Sequence, residues 1–261
     1  MQYRASSSLS RRRLLAAVAA AALPAWAPGA QRRVPVLVYH RFAPTAADGM
    51  TVRLDTFDAQ LAVLRELQCE VVTTESLLAW HAGRAPLPPR AVVLTADDAH
   101  RSQYEHMAPR LAAAGWPVTL FVYPSAVSNA DYAMRWEQLA DLGERGGFRI
   151  ESHTYWHPNF AVERKRLAPA AFERFAREQL DRSREALHTH LGVRPTLLAW
   201  PFGIADDGVA AMAREEGYRA AFALGNRSAS AGDAVFNLPR HLVTEAMQPR
   251  ALRRLLAAAF E

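Results

Sequence analysis

The distribution of hydrophobic and polar residues predicts alternating buried strands and amphipathic helices from Val34 to the end of the chain. The run 34–39 is almost wholly apolar, which is typical of a strand buried on both faces. The segment 56–68 instead places Phe57, Leu61 and Leu64 at helical spacing, so it predicts a helix with one apolar side. About seven or eight such strand–helix units follow one another along the chain.

The predicted elements indicate the fold class. Regular alternation of strands and helices favours a parallel sheet covered by helices. This number of units fits a single-domain α/β barrel better than an open sheet, and in such barrels the functional residues lie where the strands end. Strands are predicted at 34–40, 70–74, 90–98, 116–124, 148–153, 195–203, 218–224 and 234–243. Helices are predicted at 56–68, 74–83, 102–115, 134–147, 169–192, 206–217 and 248–260.

The first thirty residues predict an export signal. Arg11, Arg12 and Arg13 precede an alanine-rich apolar run with small residues near its end. This arrangement is typical of a signal peptide, and the paired arginines match the twin-arginine type. We therefore expect a signal at 1–30, cleaved between Ala27 and Arg33, and a folded domain at 34–261. The alternative is a membrane anchor that is not cut.

Charge and cysteine content exclude several classes of protein. The formal net charge of +5 includes four arginines and no acidic residue at 1–30, so the remaining chain carries 5 − 4 = +1. Such a weak charge gives no indication of a nucleic-acid partner. Cys69 is the single cysteine, so neither an internal disulfide nor a cysteine-based metal site is expected. After the signal, no apolar stretch has the roughly 20 residues of a membrane span.

Candidate catalytic residues follow two of the predicted strands. Asp97 and Asp98 end the strand at 90–98, where neighbouring side chains point in different directions. His153 and His157 follow another strand, and in a helical turn their spacing would place both imidazoles on one face. Two histidines and Asp98 would give the three-ligand pattern of a catalytic zinc with one open position. Asp97 is then free to act as a general base on the attacking water.

Each of these features also has a simpler interpretation. Paired aspartates after a strand are often turn or cap residues. A His-x3-His pair is weak evidence for a metal when it stands alone. It is their occurrence together, at the ends of separate strands, that favours a metal site over turn and cap roles.

With these residues identified, the sequence resembles the polysaccharide deacetylases of carbohydrate esterase family 4. The family's Thr-Phe-Asp-Asp-Gly motif reads Thr-Ala-Asp-Asp-Ala at 95–99, and its His-Ser/Thr-x-x-His motif is matched fully at 153–157. The resemblance covers roughly Val34 to the end. The stretches VPVLVYH, PLPPRAVVLTADD, AWPFG and LPRHLV look most like the branch that de-N-acetylates poly-β-1,6-N-acetylglucosamine. It implies a distorted (β/α)7-type barrel.

The resemblance also implies a role for each site residue. Asp98, His153 and His157 would hold Zn²⁺, or another divalent metal such as Co²⁺ or Ni²⁺, while Asp97 activates water. His40, which follows the first strand, would protonate the leaving amine, with His241 as a weaker alternative. The Phe202 backbone N–H would help to stabilise the oxyanion. Trp200, Tyr155 and Arg240 are assigned to the substrate side of the site.

Two of these assignments have alternatives. Trp200 and Tyr155 would be walls for sugar rings, or else core aromatic residues. Arg240 would orient Asp97, or else be a surface or structural arginine.

The implied function is release of acetate from an N-acetylated polysaccharide in the periplasm or outside the cell. Exopolysaccharide export machinery is an expected partner. Two departures from the family motif, Ala96 for an aromatic residue and Ala99 for glycine, motivate an alternative: a catalytically weak barrel that binds glycans. A further alternative is a deacetylase of another glycan, such as peptidoglycan.

Overall fold

A computed structural model describes residues 32–261. The predicted export signal at 1–30 lies outside the described residues. No helix among residues 32–261 is both long and apolar enough to cross a membrane.

The predicted α/β barrel is confirmed, because seven parallel strands close into a ring. The ring runs β1, β5, β6, β7, β8, β9, β10 and back to β1. A further strand, β4, pairs with the first half of β5, while β6 pairs with its second half, which distorts the barrel. The strands are β1 (Val36–Tyr39), β2 (Arg41–Ala43), β3 (Thr51–Arg53), β4 (Glu70–Val72), β5 (Ala91–Asp97), β6 (Val118–Val122), β7 (Phe148–Ser152), β8 (Leu197–Ala199), β9 (Ala220–Leu224) and β10 (Leu238–Leu242).

Helices cover the outside of the barrel, as the apolar spacing predicts. They are α1 (Leu54–Glu66), α2 (Thr74–His81), α3 (Ala108–Ala114), α4 (Trp136–Arg145), α5 (Phe160–Arg166), α6 (Pro169–Leu191), α7 (Asp207–Glu215) and α8 (Pro249–Phe260). The short α5 and the small parallel pair of β2 with β3 were not predicted, because three- to seven-residue elements give little periodic signal.

The helix predicted at 102–115 is divided in the structure. Residues Gln103–Met107 form a π-helical turn that leads into α3. Pro109 has no N–H to donate to the preceding turn, so a regular α-helical hydrogen bond cannot form there. The predicted strands at 195–203 and 234–243 are also shorter, since the first ends before a 3₁₀ turn at Pro201–Gly203.

The side-chain alternation of β5 determines what reaches the barrel interior. Val92, Leu94 and Ala96 belong to the apolar cluster under the outer helices. Val93 packs in a second apolar cluster, and Asp97 shares its face of the strand because successive side chains alternate. Ala96 therefore replaces the family's aromatic residue at a position that faces the helices.

The junction of β7 and β8 is held mainly by a side chain. These strands share a single paired position, Ser152 with Leu198. Next to it, Glu151 Oε2 accepts hydrogen bonds from the backbone N–H groups of Thr196 (2.7 Å) and Leu197 (2.8 Å). The buried carboxylate thus takes the place of strand-to-strand hydrogen bonds that the short β8 does not make.

Candidate active site

The end of β5 separates the two aspartates. Asp97 is the last residue of the strand and is 3% exposed. Asp98 follows with a φ of 77°, and its N–H donates to the carbonyl of Phe121 at 3.1 Å. The left-handed backbone at Asp98, where short polar residues are tolerated, turns its side chain away from the direction taken by Asp97.

Arg240, on β10, holds Asp97 from two strands away in the ring, across β1. Its Nη1 and Nη2 each donate to one oxygen of the Asp97 carboxylate, both at 2.7 Å. Burial is the largest influence on the pKa of Asp97 and raises it, but the Arg240 guanidinium, with His153 and His40, outweighs it and lowers the pKa to about 2. Arg240 is 1% exposed and commits both terminal nitrogens to Asp97. The structure therefore places it where it would orient Asp97, and not on a surface that contacts substrate.

His153 and His157 converge on Asp98, although not through a helical turn. The loop after β7 instead has Thr154 and His157 at φ values of 64° and 65°. The two Nε2 atoms lie 3.6 and 3.8 Å from Asp98 Oδ1. Two left-handed residues, and not the helical turn considered for this spacing, therefore bring the imidazoles together.

The protonation of His153 is set by its surroundings. Its Nδ1 lies 2.8 Å from the carbonyl oxygen of Ala199, which can only accept a hydrogen bond. The ring proton is therefore on Nδ1, and the lone pair of Nε2 faces the carboxylates. Burial lowers the pKa of His153 to about 3, so the ring is neutral at ordinary pH.

These three side chains fit a divalent metal. One ligand atom from each of Asp98, His153 and His157 lies within 4.8 Å of the others. Asp98 Oδ1 is buried and has no hydrogen-bond partner within residues 32–261. A buried carboxylate oxygen without a partner is costly unless a cation or a proton satisfies it. Two imidazoles and one carboxylate are also the ligand set of many catalytic zinc sites.

His40 lies beside the aspartates at the end of β1. Burial is the largest influence on the pKa of Asp98 and raises it, while the nearby His40 acts in the opposite direction. His241, the weaker candidate acid, is 7% exposed and contacts Ser228 Oγ at 3.2 Å.

Gln103 connects His40 to Asp97 and was not predicted. Its Nε2 donates to the carbonyl of His40 at 2.8 Å and to that of Asp97 at 2.5 Å. The side chain is fully buried and belongs to the π-helical turn. A lone glutamine in a helical pattern gives no functional signal, so only the structure identifies this link between two strand ends.

Phe202 lies in the 3₁₀ turn after β8 with a φ of 59°. None of the hydrogen bonds formed within residues 32–261 uses its backbone N–H. Its ring is 55% exposed and lies 4.7 Å from the ring of His157. The next residue must be glycine: Gly203 has a φ of 68°, and a Cβ there would lie 2.3 Å from Leu224 Cγ.

The two aromatic residues assigned to sugar binding differ. Trp200 is fully buried, and its indole N–H donates to the carbonyl of Phe236 at 2.8 Å. It is therefore a core residue, which corrects its assignment to the substrate side. Tyr155 is half-buried, and the Arg182 guanidinium lies 3.9 Å from the centre of its ring.

Comparison with known proteins identifies the family of this chain. A sequence model of the family described as polysaccharide deacetylase matches residues 84–221. An Escherichia coli K12 protein named poly-beta-1,6-N-acetyl-D-glucosamine N-deacetylase is 27% identical over 78% of this chain. The chain spans only 36% of that relative's length. A Staphylococcus aureus MRSA252 relative of the same name is 21% identical, over 75% of this chain and 68% of its own length.

Solved structures share the fold. IcaB from Ammonifex degensii is 27% identical, with a TM-score of 0.75 over 86% of this chain and 97% of its own. A Streptococcus pyogenes deacetylase, PplD, in complex with acetate has a TM-score of 0.76 over 87% of this chain and 99% of its own. It is 21% identical, so this second likeness shows the fold alone.

Proposed function

Since this chain belongs to the polysaccharide deacetylase family, we propose that it hydrolyses N-acetyl groups of an extracytoplasmic N-acetylglucosamine polysaccharide and releases acetate. The observation that carries the proposal is the pairing of an arginine-held carboxylate, Asp97, with the cluster of Asp98, His153 and His157. The polymer we propose is poly-β-1,6-N-acetylglucosamine, which the names of the relatives in E. coli and S. aureus specify.

Asp98, His153 and His157 would hold the divalent metal, which we propose is Zn²⁺ or, alternatively, Co²⁺ or Ni²⁺. When bound, such an ion polarises the acetamido carbonyl and lowers the pKa of a coordinated water to about 7. The chain's own contribution is to present three ligand atoms within 4.8 Å of one another, from one buried and two partly buried side chains. The hydrogen bond from His153 Nδ1 to Ala199 fixes the direction of one of them.

Asp97 would accept the proton of the attacking water. Its ion pair with Arg240 keeps it a carboxylate, the form that accepts protons, and fixes its orientation. The water oxygen would then bond to the acetyl carbon, and the carbonyl oxygen would gain negative charge. The backbone N–H of Phe202, which no hydrogen bond within residues 32–261 uses, would donate to that oxygen.

His40 would complete the reaction by protonating the amine nitrogen as the carbon–nitrogen bond breaks. The products are acetate and a free amino sugar. Gln103 connects the backbone of His40 to that of Asp97, so the proposed acid and base are held relative to each other. General acid–base help of this kind is worth about 10²- to 10⁴-fold in rate.

The proposed location is the periplasm or the cell exterior. It is supported by the export signal of twin-arginine type that the sequence predicts at 1–30 and by the kind of polymer that the relatives' names specify. Exopolysaccharide export machinery remains the proposed partner.

Acetate release from synthetic N-acetylglucosamine oligomers tests the proposal. We expect the zinc-loaded protein to release acetate from β-1,6-linked oligomers, and an Asp97→Asn variant to bind zinc but release about 10²- to 10⁴-fold less. Release from β-1,4-linked oligomers alone would contradict the proposed polymer and keep the chemistry. No release from either series, with one metal bound per chain, would favour the glycan-binding alternative or a different polymer.

A further inference from the structure

The exposed apolar side chains of the described residues are concentrated on the face that carries the proposed active site. All of the exposed large ones lie in segments that follow the carboxyl ends of strands: Met50, Tyr132, Trp156, Val162, Phe202 and Ile204. Exposed apolar groups gathered on one face commonly mark a binding surface. Tyr132 is the member whose position is most fully determined by polar contacts.

Tyr132 is held in place beside the metal-ligand cluster. Its hydroxyl is 2.6 Å from that of Tyr123, whose ring lies 5.4 Å from the ring of His157. The ring of Tyr132 is within 11° of parallel to that of His100, with centroids 6.1 Å apart. Despite these contacts Tyr132 remains 44% exposed. It therefore offers a rigid apolar surface whose polar end is already bonded.

A polar cleft of about 400 Å³ lies next to Tyr132. The residues on either side of Tyr132 in the chain, Asp131 and Ala133, both line it. The Arg101 N–H donates to the Tyr132 carbonyl at 2.8 Å, and Arg101 Nη1 donates to the Asp131 carbonyl at 3.2 Å. The polar side chains that line the cleft include those of Arg101, Glu105, Asn129, Asp131, Arg135 and Gln138.

The cleft lies beside the segment that carries the proposed metal ligand Asp98. Residues 98–101 connect the ligand Asp98 directly to the cleft wall at Arg101. The Met134 N–H donates to the Ala99 carbonyl at 2.8 Å, and His100 forms a backbone bridge with Ala133. The loop that follows β6 is thus fastened to the segment that carries Asp98, so the cleft and the metal ligands keep a fixed relation.

The lining of the cleft suits a neutral, hydroxyl-rich ligand. Both charge signs are present, so a lone anion would meet Glu105 and Asp131, and a lone cation would meet Arg101 and Arg135. Guanidinium, carboxylate and amide groups together supply donors and acceptors for hydroxyl and acetamido groups. A pyranose ring has an apolar face and polar edges, which match an exposed tyrosine ring beside such a cleft.

We propose that Tyr132 and this cleft form a second saccharide subsite, which binds the sugar unit next to the one whose acetamido group reacts. The inference rests on the proposed function and extends it, because it makes the enzyme selective for a polymer over a single sugar. A substrate of one sugar unit cannot occupy both positions. The contribution of Tyr132 is therefore expected only with longer substrates.

Kinetics with substrates of different length test the subsite. In the zinc-loaded protein, we expect Tyr132→Ala to lower kcat/KM for a β-1,6-linked pentamer about tenfold, equivalent to about 1.4 kcal/mol. The value for the methyl glycoside of N-acetylglucosamine should change less than about twofold. Tyr132→Phe keeps the ring and should retain the preference for the pentamer.

Two results would overturn the inference. Equal losses with both substrates would mean that Tyr132 acts through Tyr123 on the metal ligands, and no loss with either would mean that Tyr132 does not contact sugar. Calorimetric titration with the fully de-N-acetylated pentamer separates this question from turnover. We expect Tyr132→Ala to weaken that binding about tenfold, and unchanged or undetectable binding by both proteins would contradict the subsite even where acetate is released.

Discussion

Two carboxylates of this barrel differ in whether the protein satisfies their hydrogen-bonding capacity. Glu151, at the junction of β7 and β8, is 1% exposed and accepts hydrogen bonds from Thr196, Leu197 and Arg149. Asp98, at the end of β5, has a buried oxygen with no partner among the described residues. Both are acidic residues near the end of a strand and both are largely shielded from solvent, with the side chain of Asp98 17% exposed, so residue type alone does not distinguish them.

The difference between Asp98 and Glu151 lies in their remaining bonding capacity. Every hydrogen bond to Glu151 joins it to protein groups, so the bonding energy goes into holding two strands together. Asp98 keeps an oxygen free beside two imidazoles, and a buried carboxylate oxygen in that state costs stability unless something binds it. An unpaired buried carboxylate is therefore evidence for a ligand, whereas a fully paired one is evidence for a structural role.

The largest effect is expected from Asp98→Asn. We expect the variant to lose metal binding and at least about 10²-fold of the deacetylase activity, because one of three ligands is gone. In the presence of a chelator, its free energy of unfolding should not fall, because a buried negative charge without a partner has been removed. Metal content, acetate release and chemical denaturation measure the three quantities.

Marked destabilisation of metal-free Asp98→Asn would contradict the difference proposed between Asp98 and Glu151. It would show that the carboxylate makes a stabilising contact of its own, like that of Glu151. The wild-type protein measured in the same chelator is the matched control for this variant.

Substitution of Glu151 is expected to lower stability and to leave metal binding unchanged. Glu151→Ala leaves the N–H groups of Thr196 and Leu197 without an acceptor, at a cost of about 1–3 kcal/mol each. A loss of about 1 kcal/mol in the free energy of unfolding lowers the Tm of a domain of this size by about 2–4 °C. Calorimetry should therefore show a clear fall in Tm, while the metal affinity of the folded protein stays close to that of wild type.

Glu151→Gln is the control for this prediction, because it keeps an oxygen for the two N–H groups. It should fall between wild type and Glu151→Ala in Tm. If Glu151→Ala instead kept its Tm and lost metal binding, the carboxylate would belong to the active site and the contrast with Asp98 would be wrong.

The sequence predicts the barrel and the end of β5 well, because both depend on local pattern. An apolar run followed by two aspartates identifies a strand end, and the motif at 153–157 identifies the histidines. The orientation of Arg240 toward Asp97 was only one of two alternatives, because it depends on how β10 closes the barrel against β1. Glu151 accepts hydrogen bonds from backbone N–H groups about 45 positions away, and Gln103 donates to two backbone carbonyls. Neither set of contacts leaves a periodic signal in the sequence.

Trp200 shows the same limit of sequence-based prediction, here for a residue that was assigned to the site and lies in the core. It directly follows β8, the position at which barrel side chains are expected to reach a functional face. Its indole instead enters the core and donates to Phe236, a residue 36 positions further along the chain. Whether a large aromatic residue at a strand end is buried depends on long-range packing that a linear pattern does not record.

A smaller effect is expected at Gln103, which links the proposed acid to the proposed base. Gln103→Met has a similar length but cannot donate to the carbonyls of His40 and Asp97. We expect kcat for acetate release to fall about 10- to 100-fold, the range found for residues that position catalytic groups. KM and metal affinity should stay near those of wild type, because neither carbonyl belongs to a proposed metal ligand.

Gln103→Asn keeps the donor on a shorter side chain and should recover part of kcat. A purely structural role for Gln103 would appear as a lower Tm with an unchanged kcat for the protein that remains folded. Weakened metal binding in Gln103→Met would show that the link supports the ligand cluster, and not the acid and the base.

The smallest effect is expected at Ala99, the position where the family motif has glycine. Ala99 has a φ of 52° and is fully buried, so two terms oppose each other in Ala99→Gly. Relief of the left-handed strain gains about 1 kcal/mol, while loss of a buried methyl group costs about 0.8 kcal/mol. The free energy of unfolding should therefore change by less than about 1 kcal/mol.

The kcat should stay within about threefold of wild type, because backbone hydrogen bonds from Asp98 to Phe121 and from Met134 to Ala99 hold the loop whatever the side chain. Denaturant titration and acetate release measure both, and a rise in kcat of tenfold or more would show instead that the alanine displaces Asp98 and weakens the site.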